Sequence, residues 1–248
     1  TYAKEYMHSP FDLENGPLIR ASLLHMTDDS YIFYFNMHHI ISDGWSMQVL
    51  SNDVFAFYDH YVNNTPLALP VLRVQYKDYA AWQLSQLETT SYKAAKEYWK
   101  NLLSGSIPTI NLPSTKKRPL LKTNNGHGIS TYISKDTTTK LIDYCNQKRG
   151  TPFMGLLATL NILIFRYTTT DDIVIGSPIA GREHAELKNQ IGFYTNTLAL
   201  RNKLTPFDTF NTFFTTVKQN TLDAYNHQSY PFDRLVEDVQ IKHNTSRN

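Results

Sequence analysis

The feature that most restricts how this chain can fold is an apolar and aromatic run, Tyr31-Ile32-Phe33-Tyr34-Phe35, which leads into Met37-His38-His39-Ile40-Ile41-Ser42-Asp43-Gly44-Trp45-Ser46. A continuous run of this kind predicts a strand that is apolar on both faces and lies inside a sheet covered on both sides. After Gly44, Met47, Leu50, Val54, Phe57, Tyr58 and Tyr61 recur at three and four residues. That spacing predicts a helix of about four or five turns. The two histidines therefore stand where a buried strand ends, the place where open sheets put their chemistry. A lone histidine is more often a hydrogen-bonded core residue, but His38-His39 followed by Asp43-Gly44 would arise by chance in such a chain on the order of one time in a thousand.

Elsewhere strands and helices alternate, which indicates an α/β or α+β class. Leu18 to Met26 reads as a strand and Thr27-Asp28-Asp29-Ser30 as the turn into the apolar run, taken as a strand over 31–38. Asn63-Asn64-Thr65-Pro66 ends the first helix, and helical spacing returns from Tyr76 to Leu103. Gly105 to Lys117, with Pro108 and Pro113, predicts a connector, and the boundary between two lobes, 1–107 and 108–248, is placed there. The second lobe is read as a strand from Gly128 to Ser134 and a helix from Asp136 to Lys148. A second helix follows, opened by the Thr151 cap and Pro152 and ending at Tyr167. Then come a short buried strand from Asp172 to Gly176, a strand from Tyr194 to Leu200, and a helix from Thr205-Pro206 to about Asn226.

Composition narrows the partners. The 24 basic and 22 acidic residues are spread along 248 positions for a formal charge of +2, so no basic stripe recommends nucleic acid or an anionic membrane. Lys116-Lys117-Arg118 is expected to be a solvated loop. The single cysteine, Cys145, allows no disulfide framework, sits in a helical pattern and fits a reducing compartment. No apolar stretch approaches the ~18–20 residues of a membrane span, and no charged-then-apolar leader is present, so a cytoplasmic location is expected. On that basis Asn63-Asn64-Thr65 and Asn244-Thr245-Ser246 match the glycosylation pattern by chance. No Cys or His cluster has metal-ligand spacing and there is no Gly-rich phosphate loop, so neither a metal nor a nucleotide is expected.

Four further stretches accompany the double histidine: Tyr76-Lys77-Asp78-Tyr79-Ala80-Ala81-Trp82, Gly181-Arg182, Ile191-Gly192-Phe193-Tyr194-Thr195-Asn196-Thr197-Leu198, and His227-Gln228-Ser229-Tyr230-Pro231-Phe232-Asp233. In order and approximate spacing they resemble the condensation domains of nonribosomal peptide synthetases, relatives of chloramphenicol acetyltransferase. The resemblance covers essentially the whole chain, and His243 to Asn248 looks like the start of the family's last motif. Ser229 stands where the family usually has Asp, and Asp233 where it usually has Glu. The family's upstream Arg-His-rich segment and the rest of its second lobe have no counterpart. The resemblance therefore implies a fragment lacking both ends, with open strand edges, exposed apolar faces and reduced stability and activity by itself.

The same resemblance implies a two-lobed chloramphenicol acetyltransferase-like sandwich with its active site at the lobe junction. It implies a reaction in which an acceptor's free amine attacks a donor's thioester carbonyl and forms an amide. The partners implied are donor and acceptor peptidyl carrier domains, whose phosphopantetheine arms carry the substrates, and a neighbouring adenylation domain. The domain itself would bind no cofactor.

Such an attack needs a neutral amine. An α-amino group titrates at about 7.7–8.0 and an imidazole ordinarily at about 6.5, so histidine can accept a proton where part of the amine is charged. His39 is the choice for general base or amine-positioning residue, with general-base help worth about 10²–10⁴-fold. If the strand reaches this far, adjacent side chains face opposite ways and His38 is structural. The resemblance implies that Asp43 pairs with an arginine of the second lobe, for which Arg182 is the match, and losing one partner would leave an uncompensated charge. Gly44 is expected at a tight turn with no room for a Cβ, its N–H toward the substrate carbonyl. Trp45 and Ser46 are candidates to line the site, although Trp45 fits packing at the lobe junction equally well. Tyr79, Trp82 and Phe193 are candidates for core or tunnel wall, and Asn196 for tunnel lining or for satisfying backbone groups.

Trp45-Ser46-Met47 after Gly44 resembles the condensation type, with L-donor and L-acceptor, more than the family's epimerization domains. Epimerization, ester-forming or free-standing acyl transfer, and a noncatalytic carrier-docking module are the rival readings.

Overall fold

The structure is a computed structural model that describes residues 9–115, 119, 121, 123 and 126–239. The basic cluster 116–118 and the segment 243–248, with its second glycosylation pattern, lie outside the described residues. The chain gathers into two compact units, Thr1–Leu87 with Ala180–Thr195, and Glu88–Ile179 with Asn196–Asn248. Against a division at 107/108, residues 180–195 group by compactness with the unit that holds the double histidine, and residues 88–107 group with the other.

In the first unit, β1 (Ile19–Thr27) and β2 (Ser30–Met37) form an antiparallel hairpin with Ile19 opposite Met37 and Thr27 opposite Ser30. The register slips between His25 and Thr27, a bulge beside the turn. The covered sheet expected around β2 is not found among the described residues. Its ladder partner there is β1, and Tyr31, Ile32 and Phe33 are 56%, 48% and 50% exposed. An apolar run encodes a need for cover but not the element that supplies it.

A 3-10 turn, His39–Ile41, separates β2 from helix α1, Gly44–Asn63, which the Asp43 side chain caps and Asn64 ends in the left-handed conformation. Helix α2, Tyr76–Gln86, opens on a capping box in which the Asp78 carboxylate accepts from the Gln75 N–H at 2.8 Å. The helical spacing from Tyr76 to Leu103 is divided between two helices. Helix α3, Thr90–Leu102, begins afresh because the Thr89 hydroxyl accepts from the Tyr92 N–H, and a hydroxyl that bonds the backbone this way competes with helix continuation.

The second unit holds α3, α4 (Lys135–Gln147), α5 (Pro152–Thr168), β3 (Asp172–Ile179), β4 (Asn196–Lys203), α6 (Phe210–Asn226) and α7 (Phe232–Val239). Thr151 caps α5 with Pro152 in its first turn. β3 and β4 pair antiparallel, Asp172 opposite Lys203 and Ile179 opposite Asn196. Helix α6 packs on β4 and on α5, and Ile173, Leu198, Ala158, Phe213, Phe214 and Val217 form much of the buried core.

Two sequence expectations fail here. Residues 128–134 form no strand; Ile129 and Tyr132 are 92% and 97% exposed, and without a ladder partner their β-branched and aromatic character is not enough. Thr205-Pro206 does not start α6. Thr205 and Asp208 close a turn on each other, and the helix waits for the Thr209 cap.

Candidate active site

The strand stops one residue before the histidines. The His38 N–H still reaches the Leu18 carbonyl at 2.9 Å, but the His38 ring then turns back as an N-cap, its Nδ1 accepting from the Ile40 N–H at 3.1 Å. Capping, rather than strand alternation, is what separates the two rings. His38 also meets the edge of Phe11, with ring centroids 5.8 Å apart.

His39 is exposed, and its Nδ1 lies 2.6 Å from the Ser42 carbonyl oxygen. A carbonyl only accepts, so Nδ1 carries a proton, and in the neutral ring it is Nε2 that has the lone pair. The Phe193 ring stands edge-on to His39 at 5.5 Å. Phe193 and Trp45 are 41% and 45% exposed, and the Trp45 indole N–H donates to the Lys188 carbonyl at 2.8 Å.

Next to this exposed residue in sequence lies a buried polar knot. The Asp43 carboxylate, 1% exposed, accepts at Oδ1 from the Ser46 N–H at 2.8 Å, the Ser46 hydroxyl at 2.7 Å and Arg182 Nη2 at 3.0 Å. At Oδ2 it accepts from the Tyr194 N–H at 3.0 Å and the Thr195 hydroxyl at 3.5 Å. Burial pushes its pKa up, but the bonds from Ser46, Tyr194 and Arg182 outweigh burial and hold it below the ordinary aspartate range. A carboxylate so fully engaged is a poor proton acceptor for a substrate.

Arg182, reached through Gly181 at φ +63°, is engaged through both terminal nitrogens, while its buried Nε has no hydrogen-bond partner among the described residues. Nη1 donates to the carbonyls of Leu187 and Gln190, Nη2 to Asp43, Ser46 and the Gly192 carbonyl, and the guanidinium lies 4.2 Å over the Tyr194 ring. Burial, offset in part by the positive charge of Arg182, pushes the Tyr194 phenol up to about 12, so it stays protonated and donates to Gln190 Oε1.

Gly192 is required by space. A Cβ there would fall 2.5 Å from Tyr76 and 2.7 Å from Tyr194, and the Tyr76 hydroxyl donates to the Phe193 carbonyl beside it. Gly44 is the opposite case. A Cβ would meet nothing within 4 Å and φ is not positive, so neither backbone strain nor packing explains this glycine. Ser46, a candidate to line the site, is fully buried at 0% exposure inside the knot.

Tyr79 and Trp82 line a cavity of about 220 Å³ together with Val74, Asp78, His184, Glu186 and Leu187, and neither His39 nor Asp43 is among its walls. Asn196 starts β4 in the second unit, where its amide donates to the carbonyls of Gln228 and Tyr230 and accepts from the N–H groups of Thr197 and Phe232. Gln190 was not singled out from the sequence. It is 2% exposed, donates to the carbonyls of Val74 and Glu186, and holds the Tyr194 phenol. Its only signal was its place directly before Ile191-Gly192-Phe193-Tyr194. Among the described residues no group of three His, Cys, Asp or Glu side chains is arranged to hold a metal, and no helix is long and apolar enough to cross a membrane.

This arrangement can be set beside known proteins. The chain is 41% identical to tyrocidine synthase 3 of Brevibacillus parabrevis and 39% identical to bacitracin synthase 1 of Bacillus licheniformis, in each case over 96% of its own length. It spans only 4% of each of those proteins. In fold it matches the X-domain from teicoplanin biosynthesis, solved in complex with OxyB, at a TM-score of 0.91 and 22% identity, covering all of this chain and 55% of that one. It also matches a holo four-domain nonribosomal peptide synthetase bound to AMP and glycine at a TM-score of 0.83 and 25% identity, covering all of this chain and 19% of that one. The family model described as the condensation domain matches residues 1–248. With the double-histidine turn, its buried aspartate–arginine knot and this match over the whole chain, the protein belongs to the condensation-domain family of nonribosomal peptide synthetases.

Proposed function

We propose that this chain catalyses amide formation between a donor acyl or peptidyl thioester and an acceptor aminoacyl thioester, each held on the phosphopantetheine of a carrier domain in a multidomain synthetase with a neighbouring adenylation domain. The acceptor nitrogen attacks the donor carbonyl carbon, the C–N bond forms, the C–S bond breaks, and the sulfur leaves as thiolate. His39 Nε2 takes or directs the amine proton, which ends on the departing sulfur. The observation that carries this reading is the 2.6 Å contact between His39 Nδ1 and the Ser42 carbonyl, which fixes the tautomer whose Nε2 accepts. Asp43, buried and bonded to five donor groups, leaves His39 as the basic group at this turn. Trp45-Ser46-Met47 after Gly44 supports the condensation type, with L-donor and L-acceptor, over epimerization.

A second reading, a noncatalytic docking module, draws on the X-domain, solved in complex with a separate protein. The test is a single-turnover reaction of the full native polypeptide with loaded donor and acceptor carriers, read by mass spectrometry and chiral analysis. A new amide is expected. An inverted stereocentre without an amide would assign epimerization. An ester from an alcohol acceptor alone would assign another acyl transfer, and carrier binding without turnover would assign docking.

A further inference from the structure

His39 is exposed, yet its ring is held between two segments far apart in sequence. One is its own turn, through the Ser42 carbonyl on Nδ1; the other is 192–194, through the edge of Phe193. A single hydroxyl touches the backbone or cap of both. Ser46 Oγ lies 2.7 Å from Asp43 Oδ1, beside Ser42, and 2.8 Å and 3.0 Å from the carbonyl and N–H of Gly192, beside Phe193. Arg182 Nη2 donates to it at 3.0 Å. One hydroxyl offers one proton and two lone pairs. Here the lone pairs take the Gly192 N–H and Arg182, and the proton goes to Asp43 or to the Gly192 carbonyl, so its capacity is used in full. Asp43 has other donors without Ser46, but the Gly192 N–H has no second acceptor among the described residues.

We propose that Ser46 is a positioning residue for His39: its buried hydroxyl joins the Ser42–Asp43 turn to the Gly192–Phe193 segment and so fixes the plane and tautomer of the His39 ring. Ser46 touches no reacting atom; it acts through its two neighbours. The inference deepens the reading of His39 given above and takes its importance for the reaction from that reading.

The readout is His39 itself rather than turnover, so the two ideas can fail separately. Long-range ¹H–¹⁵N NMR on the ¹⁵N-histidine-labelled chain, with His39 assigned through His39→Gln, reports the tautomer and the lifetime of the Nδ1 proton. Wild type should hold the Nδ1–H form. In Ser46→Ala, and in Ser46→Cys, which fills the space with a weaker hydrogen-bonding group, Nδ1–H exchange should quicken about tenfold and the Nε2–H form appear, while far-UV circular dichroism stays unchanged. Folded variants with an unaltered His39 tautomer and exchange rate would overturn the proposal.

Should neither variant fold, wild type decides on warming. The Gly192 amide and the His39 Nδ1 proton should lose protection together. Loss of the His39 proton while Gly192 stays protected would overturn it.

Discussion

At the scale of the residue, one turn contains two opposite solutions for a polar side chain. His39 stays in solvent with one nitrogen committed and the other open. Asp43, four residues on, is withdrawn from solvent and committed to protein donors. Charges this deep persist only when matched, and removing one partner leaves the other unpaired in a buried site. Asp43→Ala should therefore destabilise the fold by about 3–5 kcal/mol and reduce the yield of folded protein along with activity, as chemical denaturation would measure. A soluble Asp43→Ala protein of normal stability without activity would instead give Asp43 a direct part in the chemistry. The sequence exposed the double histidine, Asp43 and Gly44 because they fall within seven residues. It could not expose the depth of Ser46, whose partner Gly192 lies 146 positions away, nor the open space beside Gly44.

At the scale of the element, a helix end is legible where a cap and a first-turn proline stand side by side and lead straight into the helix, and it is missed at Thr89 and Thr209, whose caps no such signal marks. The Thr151 cap and Pro152 start α5 where the sequence puts it. Strands were legible where both partners carry a pattern, as in β3 with β4, and illegible at 128–134, where pairing depends on distant chain. The β3–β4 hairpin also shows how one side chain can secure several elements. Arg201 Nε and Nη2 grip both oxygens of Asp172 at 2.8 Å and 2.6 Å. Nη1 also donates to the carbonyls of Leu102 and Ser104 at the end of α3 and just beyond it, and Nη2 to that of Ser106. These side chains are 9% and 13% exposed. Arg201→Met should cost about 3–5 kcal/mol, since it leaves the buried Asp172 carboxylate with Lys203 at 3.4 Å in place of a two-pronged guanidinium and takes a donor from three carbonyls. Hydrogen exchange should then show the last turn of α3 opening more readily. Unchanged protection there would mean that the α3 end is held by other contacts.

At the scale of the whole molecule, the carboxylates set the response to acid. Hydrogen bonds from Arg201 lower the Asp172 pKa against burial, and in Asp43 and Asp238 burial raises it but the bonds from their partners prevail. All three fall below the ordinary 3.8 in the folded chain. Below that value the unfolded chain binds more protons than the folded one, so stability rises with pH there. The stabilisation is complete above the unfolded value and is lost as pH falls through the folded values. Urea midpoints should therefore hold steady from neutrality to about pH 5 and drop below about pH 4; a drop confined to the range above pH 5 would refute this assignment. His39 is the group proposed to serve amide formation. The most direct measurement is single-turnover amide yield, by mass spectrometry, for wild type and His39→Ala in the full native polypeptide with loaded carriers, each checked by circular dichroism. A loss of about 10²–10⁴-fold in rate with the fold retained is expected; amide formation at the wild-type rate in His39→Ala would remove His39 from the reaction.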